Sequence, residues 1–298
     1  MNNQWWEVTV ICPFALEDTI YWAFDQLGSK GTASQTKDNS RIVTAYFPQV
    51  RFESSAFETL KSDLLGAHGP ESVTLDWRLI EEEDWAKSWK RHWQPAEVGD
   101  RLLINPAWLQ PPVTERTILT LDPGSAFGTG AHATTQLCLE ALEQQILKNA
   151  TVADIGCGSG ILSIVSLLYG ASQIYAADVD PLAFSSTRVN AEANGIDSKQ
   201  LQVQVGSLPE VMAMAQQAND LPVDGIVCNI LAEIIVGLII PRLSELAGPN
   251  TWGILSGILT SKAPWVEEHL AAYGWEVTGM AHKDEWCSMT IRLAAQRS

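Results

Sequence analysis

The stretch that most constrains the fold is Thr151 to Gly160, written TVADIGCGSG. Val152 to Ile155 reads as a short buried strand. Gly156, Gly158 and Gly160 then leave bare backbone at alternate positions, which permits a sharp turn and the close approach of a ligand. Apolar residues at 161, 162, 164, 165, 167 and 168 follow at helical spacing, and Gly170 stands where a helix-ending residue belongs. Strand, glycine turn and helix make a cofactor platform. A second strand, Gln173 to Ala177, runs into Asp178, which falls 22 residues after Gly156. In a βαβ unit that spacing puts a carboxylate at the tip of the neighbouring strand, within reach of a pair of ribose hydroxyls.

A nicotinamide cofactor would also suit this spacing, but its fingerprint is GxGxxG, and Ile161 stands where the third glycine belongs. GxGxG without a seat for a diphosphate resembles the nucleoside site of a class I S-adenosylmethionine-dependent methyltransferase. The blander alternative is a set of glycines that only tightens a loop, and Asp178 at the right distance weighs against it.

The net charge of −16 makes a nucleic-acid surface an improbable primary partner and favours a basic protein. The five cysteines show no CxxC spacing and are odd in number, so neither a disulfide framework nor a metal site is expected. MNNQWWEVTV carries no basic and then apolar export signal, and the longest apolar run, Ile234 to Ile240, is too short to span a bilayer. A cytoplasmic protein without membrane contact is expected.

Residues 1–80 read as a block with the order βαββαβ, a small ferredoxin-like α+β domain. Its strands are expected at 7–11, 31–36, 41–47 and 73–80. Its helices are expected at 15–27, closed by Gly28, and at 53–65, closed by Gly66. It holds no catalytic constellation, which suits substrate recognition ahead of plain packing. Residues 81–95, EEEDWAKSWKRHWQP, read as a linker helix, acidic at its start and basic at its end, as the helix dipole favours. Trp85, Trp89 and Trp93 form one stripe along it, for docking or for ordinary core packing. Residues 96–298 form the second domain. It should begin with a β-hairpin over 99–121 that turns at Pro106 to Pro112. A helix over 133–148, the strand–turn–helix unit, strands at 201–205, 223–228 and 252–256, and a terminal hairpin follow. The fold class is α/β: a Rossmann-like, mostly parallel sheet of seven strands with helices on both faces.

Two further places carry chemistry. LDPGSAFGTGAH (121–132) is a glycine-rich loop around Phe127, and the helix after it opens with Thr134 and Thr135. Backbone donors and hydroxyls at a helix start can hold the carboxylate of the methionine end of the cofactor. Asn229 closes the strand at 223–228. Its side-chain oxygen can accept a hydrogen from an amine and aim the lone pair at the methyl, or accept from the methionine ammonium; it can also merely cap the next helix. Cys157, His132 and His282 have no partner at motif spacing.

Several motifs together resemble one family. LDPGSAFGTGAHATT (121–135), DIGCGSGIL (154–162), Asp178 to Pro181, NILA (229–232), SGIL (256–259) and DEWCSMTIR (284–292) are similar to the ribosomal protein L11 methyltransferases. The likeness is close over 81–293 and, in the first block, lies in architecture and position. It implies trimethylation of lysine side chains and of the N-terminal amine of that ribosomal protein, and a mobile first domain that grips the substrate. Matched residue by residue, cofactor contacts fall on Thr135, Gly156, Asp178 and Asn229; the turn and loop add Gly158, Gly160 and Phe127. Where the family often has Thr-His-Pro-Thr-Thr, this chain has Ala131-His132-Ala133-Thr134-Thr135, and keeps Thr135. The expectation is a monomeric S-adenosylmethionine-dependent protein N-methyltransferase. A methyltransferase of another protein or of a small amine, a nicotinamide oxidoreductase and a non-catalytic cofactor-binding protein are the alternatives.

Overall fold

The structure, a computed structural model, describes residues 4–29, 32–37, 40–69, 72–81, 93–122, 128–145 and 148–294. The chain divides into two units, residues 1–94 and residues 95–298. Residues 82–92 of the expected linker helix, with Trp85 and Trp89, and also Phe127, lie outside the described residues.

The first unit runs β1 (Gln4–Cys12), α1 (Glu17–Leu27), β2 (Thr32–Lys37), β3 (Ser40–Pro48), α2 (Ser54–His68) and β4 (Thr74–Glu81). Its four strands pair antiparallel in the order β2-β3-β1-β4. Strand alternation sends Val8, Val10 and Cys12 of β1, and Val43, Ala45 and Phe47 of β3, to one face. There they bury with Ile20 and Phe24 of α1 and with Phe57, Leu60 and Leu64 of α2. Phe47 holds this core together, with its ring 5.2 Å from Phe57 and 5.9 Å from Phe24. Helix α1 stops at Gly28, where φ is 85°. Helix α2 does not stop at Gly66 as the sequence suggests but continues to His68. A mid-helix glycine costs about 1 kcal/mol, and burial of three large side chains on this helix outweighs it.

The second unit opens with β5 (Ala96–Val98), β6 (Leu102–Pro106) and β7 (Thr117–Leu121). Here the expected hairpin at Pro106 to Pro112 is corrected. The tight turn lies earlier, at residues 99–101 between antiparallel β5 and β6, whereas β6 and β7 run parallel. The prolines that resemble a hairpin turn belong to the crossover between those parallel strands. The true turn is fixed from a distance: the Glu143 carboxylate accepts from the backbone N–H of Asp100 at 3.1 Å and of Arg101 at 3.0 Å. Helix α3 (Ala133–Leu142) accordingly ends before 148, with Glu143 just past its last turn.

After α3 come β8 (Thr151–Ile155), α4 (Ile161–Leu168), β9 (Gln173–Asp178), α5 (Pro181–Ala193), β10 (Leu201–Val205), α6 (Leu208–Ala218) and β11 (Val223–Asn229). The segment from Ala232 to Glu245 passes from one α turn through a π stretch, Ile235–Ile239, into a 3₁₀ stretch. Pro241 lies within it and has no N–H to donate, so a regular α ladder cannot pass through that position. The chain closes with β12 (Ala247–Leu259), α7 (Ala263–Ala272), β13 (Trp275–Lys283) and β14 (Trp286–Leu293). Helix α6 escapes a reading of strands alone. Its signal is Ser207-Leu208-Pro209-Glu210, where the Glu210 carboxylate accepts from the Ser207 N–H at 2.7 Å, half of a capping box.

The large sheet has seven strands in the order β10-β9-β8-β11-β12-β14-β13, and the pairs from β10 to β12 are all parallel. Residues that alternate along β8 serve two cores. Ala153 and Ile155 face α6, the 232–245 segment and α7; Val152 faces α3, α4 and α5. Strand β11 contributes to both in the same way through Ile226 and Val227.

Gly225 of β11 pairs directly with Trp252 of β12, and a Cβ there would lie 2.1 Å from the indole ring. Gly225→Ala should therefore destabilise the fold by about 1–3 kcal/mol, the cost of overpacking a rigid core. Thermal unfolding of the variant against the parent checks this, and an unchanged midpoint would show that the tryptophan is free to move.

Candidate cofactor and methyl-transfer site

The register of the sheet defines the site. Ile155 lies opposite Ala177 on one side and Cys228 on the other. One residue further along, Gly156, Asp178 and Asn229 therefore share a single row at the carboxyl edge, with Ser256 opposite Asn229. Strand order reverses at β8, since β9 follows on one side and β11 flanks the other. A crevice outside the strand ends at such a switch point is where open α/β sheets bind ligands. Two strand spacings separate Asp178 from Asn229, roughly 10 Å, with the glycine turn between them.

Asp178 is held ready. Its Oδ2 accepts from Gly158 N at 2.8 Å and its Oδ1 from Asp180 N at 2.9 Å, which fixes the carboxylate plane and leaves lone pairs for two hydroxyl donors. Asp180 in turn caps α5, accepting from Leu182 N at 2.8 Å ahead of Pro181, as the sequence predicts. Gly156 is needed for more than its turn. At φ 79° a Cβ there would meet Ile230 Cγ2 at 2.4 Å, so the residue after Asn229 packs directly onto the cofactor turn. Gly160 starts α4 in a left-handed conformation.

On the other side, Asn229 Nδ2 donates to Thr135 Oγ1 at 3.3 Å. Thr135 is fully buried in the first turn of α3. This bond orients the amide, and Asn229 Oδ1 is then a buried acceptor with no partner among the described residues. The reading of Asn229 as a helix cap is overturned. The following helical segment has Leu231 at its N-cap and no side-chain cap bond. Ser256 Oγ donates to the Thr134 carbonyl at 3.1 Å, tying the start of α3 to β12 beside it.

The remaining candidates resolve as follows. Cys157 is buried, its Sγ lies 3.5 Å from Thr187 Oγ1, and burial pushes its thiol well above the usual range, so it is no nucleophile. The Nδ1 of His132 caps α3, accepting from Thr134 N at 3.3 Å, and its ring meets Trp286 edge-on at 5.3 Å. His282 is exposed on β13, at the outer edge of the sheet. Ile161 is buried, and its side chain reaches to 3.2 Å of the position a Cβ on Gly130 would take.

Behind the row sits a group that motif reading misses. Asp154 of β8 is fully buried; Ser163 Oγ donates to its Oδ2 at 2.5 Å, and its Oδ1 has no partner among the described residues. Burial raises its pKa to about 7; the Ser163 hydrogen bond pulls it down and the charge of Asp178 pushes it further up. Such a group is invisible to pattern matching because only the surrounding core makes it unusual.

A carboxylate held by the glycine turn, the turn itself and an acceptor without a partner among the described residues share one parallel-strand edge, which fits S-adenosylmethionine. Fold and site together define a class I S-adenosylmethionine-dependent methyltransferase. Residues 4–294 match the family described as ribosomal protein L11 methyltransferase (PrmA). The ribosomal protein L11 methyltransferase of Synechococcus elongatus is 44% identical over 303 residues, covering 100% of this chain and 99% of that protein. That of Thermosynechococcus vestitus is 45% identical over 304 residues, with 98% of each chain covered. A crystal structure of the ribosomal protein L11 methylase of Lactobacillus delbrueckii subsp. bulgaricus superposes with a TM-score of 0.59 at 33% identity, covering 68% of this chain and 100% of that one. The chain belongs to the ribosomal protein L11 methyltransferase family, and the match includes the N-terminal unit.

The raised pKa of Asp154 makes a pH prediction. The native state holds this proton to about pH 7, whereas an unfolded aspartate loses it near 3.8. The stabilisation linked to that proton is complete below the unfolded value and is lost as pH rises through the native one. Asp154→Asn lacks this titration. Its stability relative to the parent should therefore climb as pH rises from about 5 to about 8. Denaturant titrations of both proteins at several pH values measure it, and a constant difference would mean Asp154 ionises normally.

Proposed function

We propose that this chain transfers methyl groups from S-adenosylmethionine to amino groups of ribosomal protein L11, lysine side chains and the N-terminal amine, in the cytoplasm and as a monomer. The observation that carries the reading is the buried, unmet Asn229 Oδ1, in the same row as Gly156 and Asp178 and aimed by Thr135. The cofactor supplies an electrophilic methyl group on a sulfonium. The chain's own part is binding and alignment. Asp178, with Gly156, Gly158 and Gly160 around it, holds the nucleoside end, and Thr135 and Asn229 hold the methionine end. Asn229 Oδ1 can also accept a hydrogen from a neutral amine, which fixes the direction of its lone pair. A net charge of −16 suits a basic protein substrate and disfavours nucleic acid. No helix among the described residues is long and apolar enough to cross a membrane.

Residues 1–80 are proposed to recognise the protein substrate, since they have their own core and the candidate site residues all lie in the second unit. Deleting them should leave cofactor affinity intact and abolish methylation of full-length L11. Full-rate methylation by the truncated protein would remove the recognition role.

Replacing Asn229 with Ala tests the site itself. If the amide holds the methionine end, cofactor affinity falls by about 0.5–1.5 kcal/mol for a neutral hydrogen bond, and up to ~3 for one to the charged ammonium. If it orients the amine, affinity holds and single-turnover methylation of L11 slows by about 10- to 1,000-fold. Calorimetric titration beside single-turnover mass spectrometry separates the two. A folded variant unchanged in both would place the site elsewhere.

A further inference from the structure

Helix α5 turns two buried polar side chains, Thr187 and Asn190, toward the cofactor turn, and its half-buried C-cap Asn194 follows on the same face, at i, i+3 and i+7. Thr187 Oγ1 donates to the Gly158 carbonyl at 3.0 Å, and Asn190 Nδ2 donates to the Ser159 carbonyl at 2.9 Å. The other end of the same amide, Asn190 Oδ1, accepts from Asp122 N at 2.9 Å, just past the end of β7. Ser159 Oγ donates to the Gly128 carbonyl at 2.6 Å, at the entry to the segment that leads into α3 and Thr135. Asn194 does a different job. It pairs with both backbone groups of Thr120, at 2.9 and 2.7 Å, and donates to the Asn190 carbonyl at 2.7 Å; among the described residues it makes no hydrogen bond to the turn.

A peptide group is planar, so holding its carbonyl holds the N–H on its other edge as well. Thr187 and Asn190 therefore set the planes of two successive peptides in the turn. Asn190 alone of the three also ties the turn to the strand end at Asp122. Asparagine is a poor helix former, and a fully buried one in the body of a helix breaks a local preference. Such breaks gather at functional sites.

We infer that Asn190 is a positioning residue for S-adenosylmethionine, acting through the Ser159 peptide rather than by contact. The inference rests on the methyltransferase reading of the site. Its donor end holds the turn in the form that binds the cofactor, and its acceptor end keeps the 122 region in register with that turn.

The two asparagines supply an internal control. Asn190→Ala should weaken S-adenosylmethionine binding by about tenfold, whereas Asn194→Ala should lower the melting temperature and leave affinity within about twofold. Both are read by calorimetric titration at a temperature where circular dichroism shows the variants folded. Asn190→Asp isolates the donor end, because its carboxylate still accepts from Asp122 N but cannot donate to Ser159. Buried and facing a carbonyl oxygen, that carboxyl would hold its proton well above the usual range, and once protonated it can donate again. Its affinity relative to the parent should therefore recover as pH falls from about 8 to about 6. A structural role alone would not produce that recovery. Parent-like affinity in Asn190→Ala, an equal loss in Asn194→Ala, or a loss in Asn190→Asp that is flat with pH would each overturn the inference. A parent protein that binds no S-adenosylmethionine would instead remove the reading on which it rests.

Discussion

Parallel pairing of β8 with β9 on one side and β11 on the other is the constraint on which the rest depends. It fixes which residues end together. Because Ile155 lies opposite both Ala177 and Cys228, Gly156, Asp178 and Asn229 arrive at the carboxyl edge in one row. A shift of one residue in either pairing would swap the faces of a whole strand. Ala153 and Ile155 would exchange cores with Val152 and Asp154, and the buried Asp154 carboxyl would be turned away from the Ser163 hydroxyl that meets it. The two cores thus protect the register, and the register makes the site.

The same constraint accounts for the odd position of Asp154. Strand alternation sends it inward beside the glycine turn, where Ser163 from the first turn of α4 is its one hydrogen-bond partner among the described residues. A buried carboxyl in that setting keeps its proton more easily than it keeps a charge. A negative charge there would also lie near the carboxylate of Asp178. With its proton kept, Asp154 packs like a polar but neutral residue and leaves Asp178 as the charged group on that edge.

How much was legible in the sequence follows from how local each feature is. The glycine turn, Asp178, the Asp180-Pro181 cap and Asn229 all sit at strand ends, where neighbours in the chain decide the geometry. Thr134 and Thr135 were legible together as hydroxyls in the first turn of a helix, and the family resemblance singled out Thr135. By contrast, the 99–101 turn depends on Glu143, more than forty residues away, and the prolines at 111 and 112 pointed to the wrong turn. The link from Asn190 to Ser159 spans 31 residues and that to Asp122 spans 68. In the sequence Asn190 looks like one more polar residue on a surface helix. Nothing short of the tertiary arrangement reveals that this helix faces a turn full of carbonyl groups.

That arrangement also explains how a turn with three bare positions keeps one shape. Glycine lowers the cost of the turn conformation but does nothing to select it, because it admits many others. Selection has to come from outside the turn. On the α5 side, the carbonyls of Gly158 and Ser159 are each met by a side chain, and the Gly158 N–H is met by Asp178. On the β11 side, the buried Asn229 Oδ1 has no partner among the described residues. Polar groups satisfied on both flanks hold the turn in one backbone conformation before any ligand arrives, the condition for pre-organised binding. The glycines permit the turn, and the helix beside them selects its shape.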